Sequence, residues 1–160
     1  MTAARVVVID DTQANLILLA NLLQEAGYEV RVANSALRGL TMIEKQPPDL
    51  VLLDITLPDK DGYWVCGELK QREALKNVPV IFLSAHDDEV SRARAFAAGG
   101  VEYLVKPFEA SEILARVSQH VAIVTLRREN GTLRELVARA ADPDPSKRPT
   151  TEELANALQS

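Results

Sequence analysis

The sequence predicts an α/β domain built on a doubly wound parallel sheet, and three observations carry that reading. Five short apolar runs rich in β-branched residues alternate with amphipathic segments of helical length. The runs are apolar almost throughout, as in strands covered by helices on both faces. Four of the five lead into side chains suited to chemistry: Asp10 and Asp11 after the first, Asp54 after the third, Ser84 after the fourth and Lys106 after the fifth.

The first strand is "RVVVI" (5–9), and the helix expected over 14–26 places Leu16, Leu19, Ala20 and Leu23 on one face before stopping at Gly27. "EVRVA" (29–33) follows and ends in Ala33 and Asn34, without a reactive group, as suits a strand displaced from a functional crevice. A helix over 36–45 leads to "LVLL" (50–53). The turn "PDKDG" (58–62) then carries Pro and Gly at turn positions, so Asp59 and Asp61 are expected to face water and not a metal. After a helix over 63–71 come "VPVIFL" (78–83), a helix over 88–98 closed by Gly99 and Gly100, "VEYLV" (101–105), and a fifth helix starting near Glu109 after Pro107. In a parallel sheet the carboxyl ends of the strands share one edge, so Asp10, Asp11, Asp54, Ser84 and Lys106 should converge there.

Composition narrows the function classes. With 160 residues, 47% of them apolar and 26% charged, the chain can bury a core, and no apolar run is long enough for a membrane span. The amino terminus meets charge too early for a signal peptide, which points to the cytoplasm. Cys66 has no partner for a disulfide and no companions at zinc-ligand spacing, so it reads as a small buried apolar residue. Residues 1–125 hold 12 basic and 17 acidic side chains, whereas residues 126–160 hold 6 of each. An acidic domain without a basic stripe is a poor partner for nucleic acid and a better one for a cation.

Three neighbouring carboxylates repel one another, and a divalent cation removes that conflict. An all-oxygen set favours a hard ion, and Mg²⁺ binds through one or two carboxylates while keeping waters that a phosphate can replace. Asp10 and Asp11 are read as the metal-holding pair. A carboxylate can also accept a phosphoryl group, and such a transfer needs a metal, a lysine and a hydroxyl around the nucleophile. Asp54, Lys106 and Ser84 supply that set.

In "VVVIDD", "LVLLDITLPDKDGYWVCGELK", "VPVIFLSA" and "YLVKPF", in this order over residues 4–121, the chain resembles the receiver domain of two-component response regulators. The resemblance implies a flavodoxin-like sheet of order 2-1-3-4-5 with five flanking helices, residues 1–121 forming the receiver and 122–160 a helical extension or linker to an output segment. It implies Asp54 as phosphoacceptor, served by a sensor histidine kinase or a histidine phosphotransfer protein. Mg²⁺ would be held by Asp10, Asp11, Asp54 and the backbone carbonyl of Thr56. Lys106 and Ser84 would contact the phosphoryl oxygens, the Lys106–Pro107 bond would be cis, and Tyr103 would be the switch aromatic, turning into space that Ser84 vacates. Thr56 and His86 fall at positions that tune phosphoryl lifetime in the family. A kinase would dock on the first helix around Gln13, Asn15, Leu16 and Leu18, with Pro107 and Phe108. The switching face would be the fourth helix, fifth strand and fifth helix.

This implies no conventional enzyme beyond self-phosphorylation and autodephosphorylation. Haloacid-dehalogenase-like phosphatases place a general-acid aspartate two residues after the nucleophile, and here Thr56 stands there. A phosphorylation-independent interaction module is the remaining alternative.

Beyond His120 the sequence stays helix-forming, with Leu126, Asn130, Leu133, Val137 and Ala140 on one seam. Gly131 could interrupt it. A coiled coil, a helix that folds back and a two-helix hairpin are all compatible with the pattern. A homodimer could form through the switching face or the C-terminal helix. "DPDPSKRPTTEELANALQS" breaks the helix with prolines, and Thr150 with Glu153 makes a capping box for one last helix. The segment resembles the end of Ser/Thr protein kinase catalytic domains around "RPT", but it brings none of the catalytic loops. No recognition helix follows, so DNA binding through this chain is not expected.

Overall fold

The computed structural model describes residues 3–159 and contains two compact units, one extending to Val121 and the other starting at Ala122. The first unit is built on five parallel strands in the order β2-β1-β3-β4-β5. They are β1 (Arg5–Ile9), β2 (Glu29–Ala33), β3 (Leu50–Asp54), β4 (Val80–Ser84) and β5 (Glu102–Val105). Between them run α1 (Gln13–Glu25), α2 (Ala36–Lys45), α3 (Gly62–Lys70) and α4 (Glu89–Ala97), and α5 (Ala110–Ala140) follows β5. β2 lies outside β1, on the far side from β3, β4 and β5, and so is displaced from the crevice where the other strand ends meet, which fits the missing reactive group at its end.

The nearly continuous apolar runs are explained by two cores. Val7, Ile9, Val51, Leu53, Val80 and Phe82 pack with residues of α2, α3 and α4. The alternate residues Val6, Val8, Leu50, Leu52, Ile81 and Leu83 pack with Leu16, Leu19 and Leu23 of α1 and with Ile113 and Val117 of α5. Successive strand side chains point to opposite faces, so each strand needs apolar residues at both parities. Cys66 lies in the first of these cores and is fully buried. Burial pushes its thiol up to about 11, so alkylation by iodoacetamide at pH 8 should be slow in the folded protein and rapid after unfolding, as read by intact mass.

Helix ends follow local chemistry. Ser35, Asp61 and Asp88 cap α2, α3 and α4 through their side chains, and Gly27 at φ 96° supplies the left-handed step after α1. Asp61, exposed as expected, therefore also fixes the start of α3. Asp59 is exposed too, yet its carboxylate accepts the Ala36 and Leu37 N–H groups at 2.9 Å each, tying the turn after β3 to the start of α2. Slight burial works against its charge, but the hydrogen bonds from Leu37 and Ala36 outweigh that and hold the carboxyl below its usual range.

In the second unit, α5 continues without interruption through Gly131, where an added Cβ would meet nothing within 4 Å. A 3-10 turn at Pro145–Lys147 and α6 (Thr151–Leu158) follow. Both halves of the Thr150–Glu153 capping box form, and Arg139 of α5 pairs with Glu153 of α6 at 3.0 Å. Leu136 is buried, 7% exposed. Within the chain, α5 and α6 of this unit form a helical hairpin. No helix among the described residues is long and apolar enough to cross a membrane.

Candidate functional site

At the carboxyl edge of the sheet, β1, β3, β4 and β5 bring Asp10, Asp11, Asp54, Ser84 and Lys106 together. Parallel registry does this: Ile9 pairs with Leu53, Asp54 with Leu83, and Ser84 with Val105, so the strands end nearly level. Asp10, Asp54 and Ser84 are buried, whereas Asp11 is exposed at the rim. The Lys106 ammonium reaches across the edge to Asp10 and Asp54, 3.0 Å from Oδ2 of each. Its peptide bond to Pro107 is cis, as the resemblance implied.

The electrostatics follow from burial. Desolvation raises the Asp54 pKa, the Asp10 charge adds to the rise, and the hydrogen bond from Lys106 only partly opposes it. Desolvation works against charge on Lys106 as well, but hydrogen bonds to Asp54 and Asp10 outweigh it and raise the lysine pKa. The lysine is therefore held as ammonium beside a carboxylate that burial disfavours. Local donors complete the arrangement: Thr56 N–H reaches Asp54 Oδ1 at 3.2 Å, Thr12 N–H reaches Asp10 Oδ1 at 2.9 Å, and Asn15 Nδ2 reaches Asp10 Oδ2 at 3.2 Å.

One carboxylate oxygen from each of Asp10, Asp11 and Asp54 lies within 4.8 Å of the others. Hard, anionic oxygens at this spacing fit a divalent cation such as Mg²⁺, and oxygen-only chemistry excludes a soft-metal preference.

Ser84 Oγ accepts the His86 N–H at 3.0 Å, leaving its own hydrogen to donate. The Tyr103 ring lies inward, 4% exposed, and its hydroxyl donates to the His86 carbonyl at 2.6 Å. Arg92 of α4 sits over that ring, 4.9 Å from its centroid. Tyr103 thus bridges β5, the loop after Ser84 and α4.

One member of the expected docking set is core. Leu16 is 4% exposed and belongs to the core, because its helical position faces the sheet. Asn15 is half-buried and turned toward Asp10. Gln13, Leu18 and Pro107 remain exposed, and Phe108 is partly packed against the core. The structural contributions of Asn15 and Asp59 escaped sequence reading, since nothing in local pattern distinguishes their side chains from solvated ones.

Gly62 shapes the wall of the site. A Cβ there would press on the Asp54 carbonyl oxygen and lie 2.9 Å from the Ile55 Cα, both backbone atoms that cannot swing away. Gly62→Ala should cost about 2 kcal/mol, read as a lower urea midpoint at unchanged slope.

Comparison with known proteins places these features in a family. The family model described as the response regulator receiver domain matches residues 6–118. The chain is 37% identical over 113 residues to the DNA-binding dual master transcriptional regulator RpaA of Synechocystis, an alignment covering 71% of this chain and 47% of RpaA. It spans from about a quarter to about half the length of the curated relatives it matches. Among solved structures, a response regulator of Chloroflexus aurantiacus superposes with a TM-score of 0.73 at 36% identity, covering 76% of this chain and 99% of that one. A CheY-like receiver domain protein of Methanospirillum hungatei gives 0.74 at 25% identity, covering 79% and 99%. By sequence, by strand order and by the residues at the sheet edge, the chain belongs to the response regulator receiver domain family.

Proposed function

We propose that this receiver accepts a phosphoryl group on Asp54 from a phosphohistidine of a sensor histidine kinase or histidine phosphotransfer protein. The observation that supports it most is the Lys106 ammonium, poised 3.0 Å from Asp54 inside a cluster of three carboxylates. A carboxylate oxygen of Asp54 attacks phosphorus, the P–N bond to the donor imidazole breaks, and its electron pair stays with the ring nitrogen. Lys106 and the Ser84 hydroxyl donate to the transferring oxygens, where negative charge is spread. Asp10, Asp11, Asp54 and the Thr56 carbonyl would hold Mg²⁺. Bound there, the ion would offset the clustered carboxylate charge and stabilise the phosphoryl oxygens.

Beyond its own phosphorylation and dephosphorylation the domain is not a conventional catalyst, since Thr56 stands where a phosphatase needs a proton donor. The setting is cytoplasmic, and residues 122–160 form a helical extension to the receiver. Treating the protein with phosphoramidate and Mg²⁺, then reducing the acyl phosphate with borohydride and mapping peptides, should convert residue 54 alone. Conversion at another aspartate would overturn the assignment.

The output is switched through α4, β5 and α5. A phosphoryl group adds about 1.5 to 2 negative charges and recruits Ser84, whose oxygen also holds the His86 N–H. Tyr103, bonded to the His86 carbonyl, senses that loop. Tyr103→Phe should cost about 1 kcal/mol or less, because the His86 carbonyl can turn to water. Phosphorylation should proceed at a similar rate, while the phosphorylation-dependent change in amide exchange across α4 and β5 should shrink.

A further inference from the structure

We infer that residues Ile123–Ala140 of α5 form a parallel two-stranded coiled coil with a second copy of this chain. Leu126, Leu133 and Val137 are 58%, 43% and 70% exposed, an unusual outlay of apolar surface on one helix. With Asn130, also exposed, they recur at spacings of four, three and four, which is the a/d pattern of a coiled-coil seam. Ile123 and Ala140 continue the pattern at either end, giving a contact roughly 27 Å long at about 1.5 Å per residue.

Three features select a second copy as the occupant. The α6 helix leaves the a and d positions open: of the α5 residues beside it, Thr132, Glu135 and Arg139 occupy c and f positions, and Leu136 a g position at the edge of the seam. A single Asn at an a position pairs best with the same Asn of an identical, parallel, in-register helix. Charge complementarity supplies the third: Glu129 falls at a g position and Arg134 at the e position five residues on, so each Glu129 meets the other copy's Arg134. An antiparallel pair would instead set Glu129 against Glu129 and Arg134 against Arg134. Among the described residues neither side chain has an ion pair within its own chain. Gly131 falls outside the seam, with open space around it.

The inference does not depend on phosphorylation of Asp54, so it is tested on the full chain without a phosphodonor. Sedimentation velocity over a concentration series should show a monomer–dimer equilibrium. Leu133→Glu should abolish the dimer with the far-UV circular dichroism retained. Glu129→Arg should weaken it about tenfold, and Glu129→Arg combined with Arg134→Glu should recover most of that loss. Leu126→Cys should oxidise to a disulfide-linked dimer, because only the parallel register brings the two 126 positions together. A protein monomeric at every concentration, a dimer indifferent to Leu133→Glu, or a charge pair that the double substitution fails to rescue would each overturn the inference.

Discussion

Lys106→Met should destabilise the metal-free protein by about 3 kcal/mol, and Mg²⁺ should return most of that loss. The lysine is the cation that lets two buried carboxylates coexist: Asp10 is fully buried, Asp54 is 5% exposed, and the ammonium contacts both at 3.0 Å. Removing it leaves like charges facing each other in a poorly solvated site, the situation in which breaking an ion pair costs most. A divalent ion held by the same carboxylates supplies the missing charge, so the variant should gain more stability from Mg²⁺ than wild type does. Urea unfolding in EDTA and in excess Mg²⁺ measures both effects. An equal loss under the two conditions would mean that Lys106 acts through packing. Phosphorylation by phosphoramidate should slow about a hundredfold as the donor to the transferring oxygens disappears.

Asp54→Asn should abolish phosphorylation completely and, in EDTA, make the protein more stable. The two outcomes come from the same placement. Burial, reinforced by the Asp10 charge, raises the Asp54 pKa, so the folded state disfavours its ionised form. A group whose folded pKa is raised contributes its full stability below its unfolded pKa and loses it as pH rises through the folded pKa. The neutral amide avoids that loss. Its advantage should therefore be greatest above the raised pKa of Asp54 and vanish below the ordinary carboxylate range, as thermal unfolding against pH would show. Excess Mg²⁺ should narrow the difference, since wild type keeps the stronger ligand. An Asp54→Asn protein less stable than wild type throughout would mean that the Lys106 contact outweighs burial.

Much of this site could be read in the chain because each residue directly follows or ends a strand, and strands in a parallel sheet have their carboxyl ends on one edge. Asp10, Asp54 and Lys106 are 44 and 52 residues apart in sequence, yet the strand order 2-1-3-4-5 makes their meeting a matter of topology. Asp59 and Asn15 were not legible in the same way. Their hydrogen bonds depend on where a turn and a helix face settle in space, and no periodicity encodes that. Leu16 shows the opposite case: its core position follows from the same helical face as Leu19 and Leu23, and burial overrides its proximity to the docking face. In α5, Gly131 does not break the helix, because its cost there, about 1 kcal/mol, is too small to stop a helix that continues on both sides.

The central claim is that Asp54 takes a phosphoryl group with help from a divalent ion held beside it. The most direct test is intact-protein mass after incubation with phosphoramidate, with Mg²⁺ or with EDTA, for wild type and Asp54→Ala. A single phosphoryl increment on wild type, dependent on Mg²⁺ and absent from the variant, is the predicted result. An increment that persists in Asp54→Ala, or none on folded wild type with Mg²⁺ present, would contradict the account.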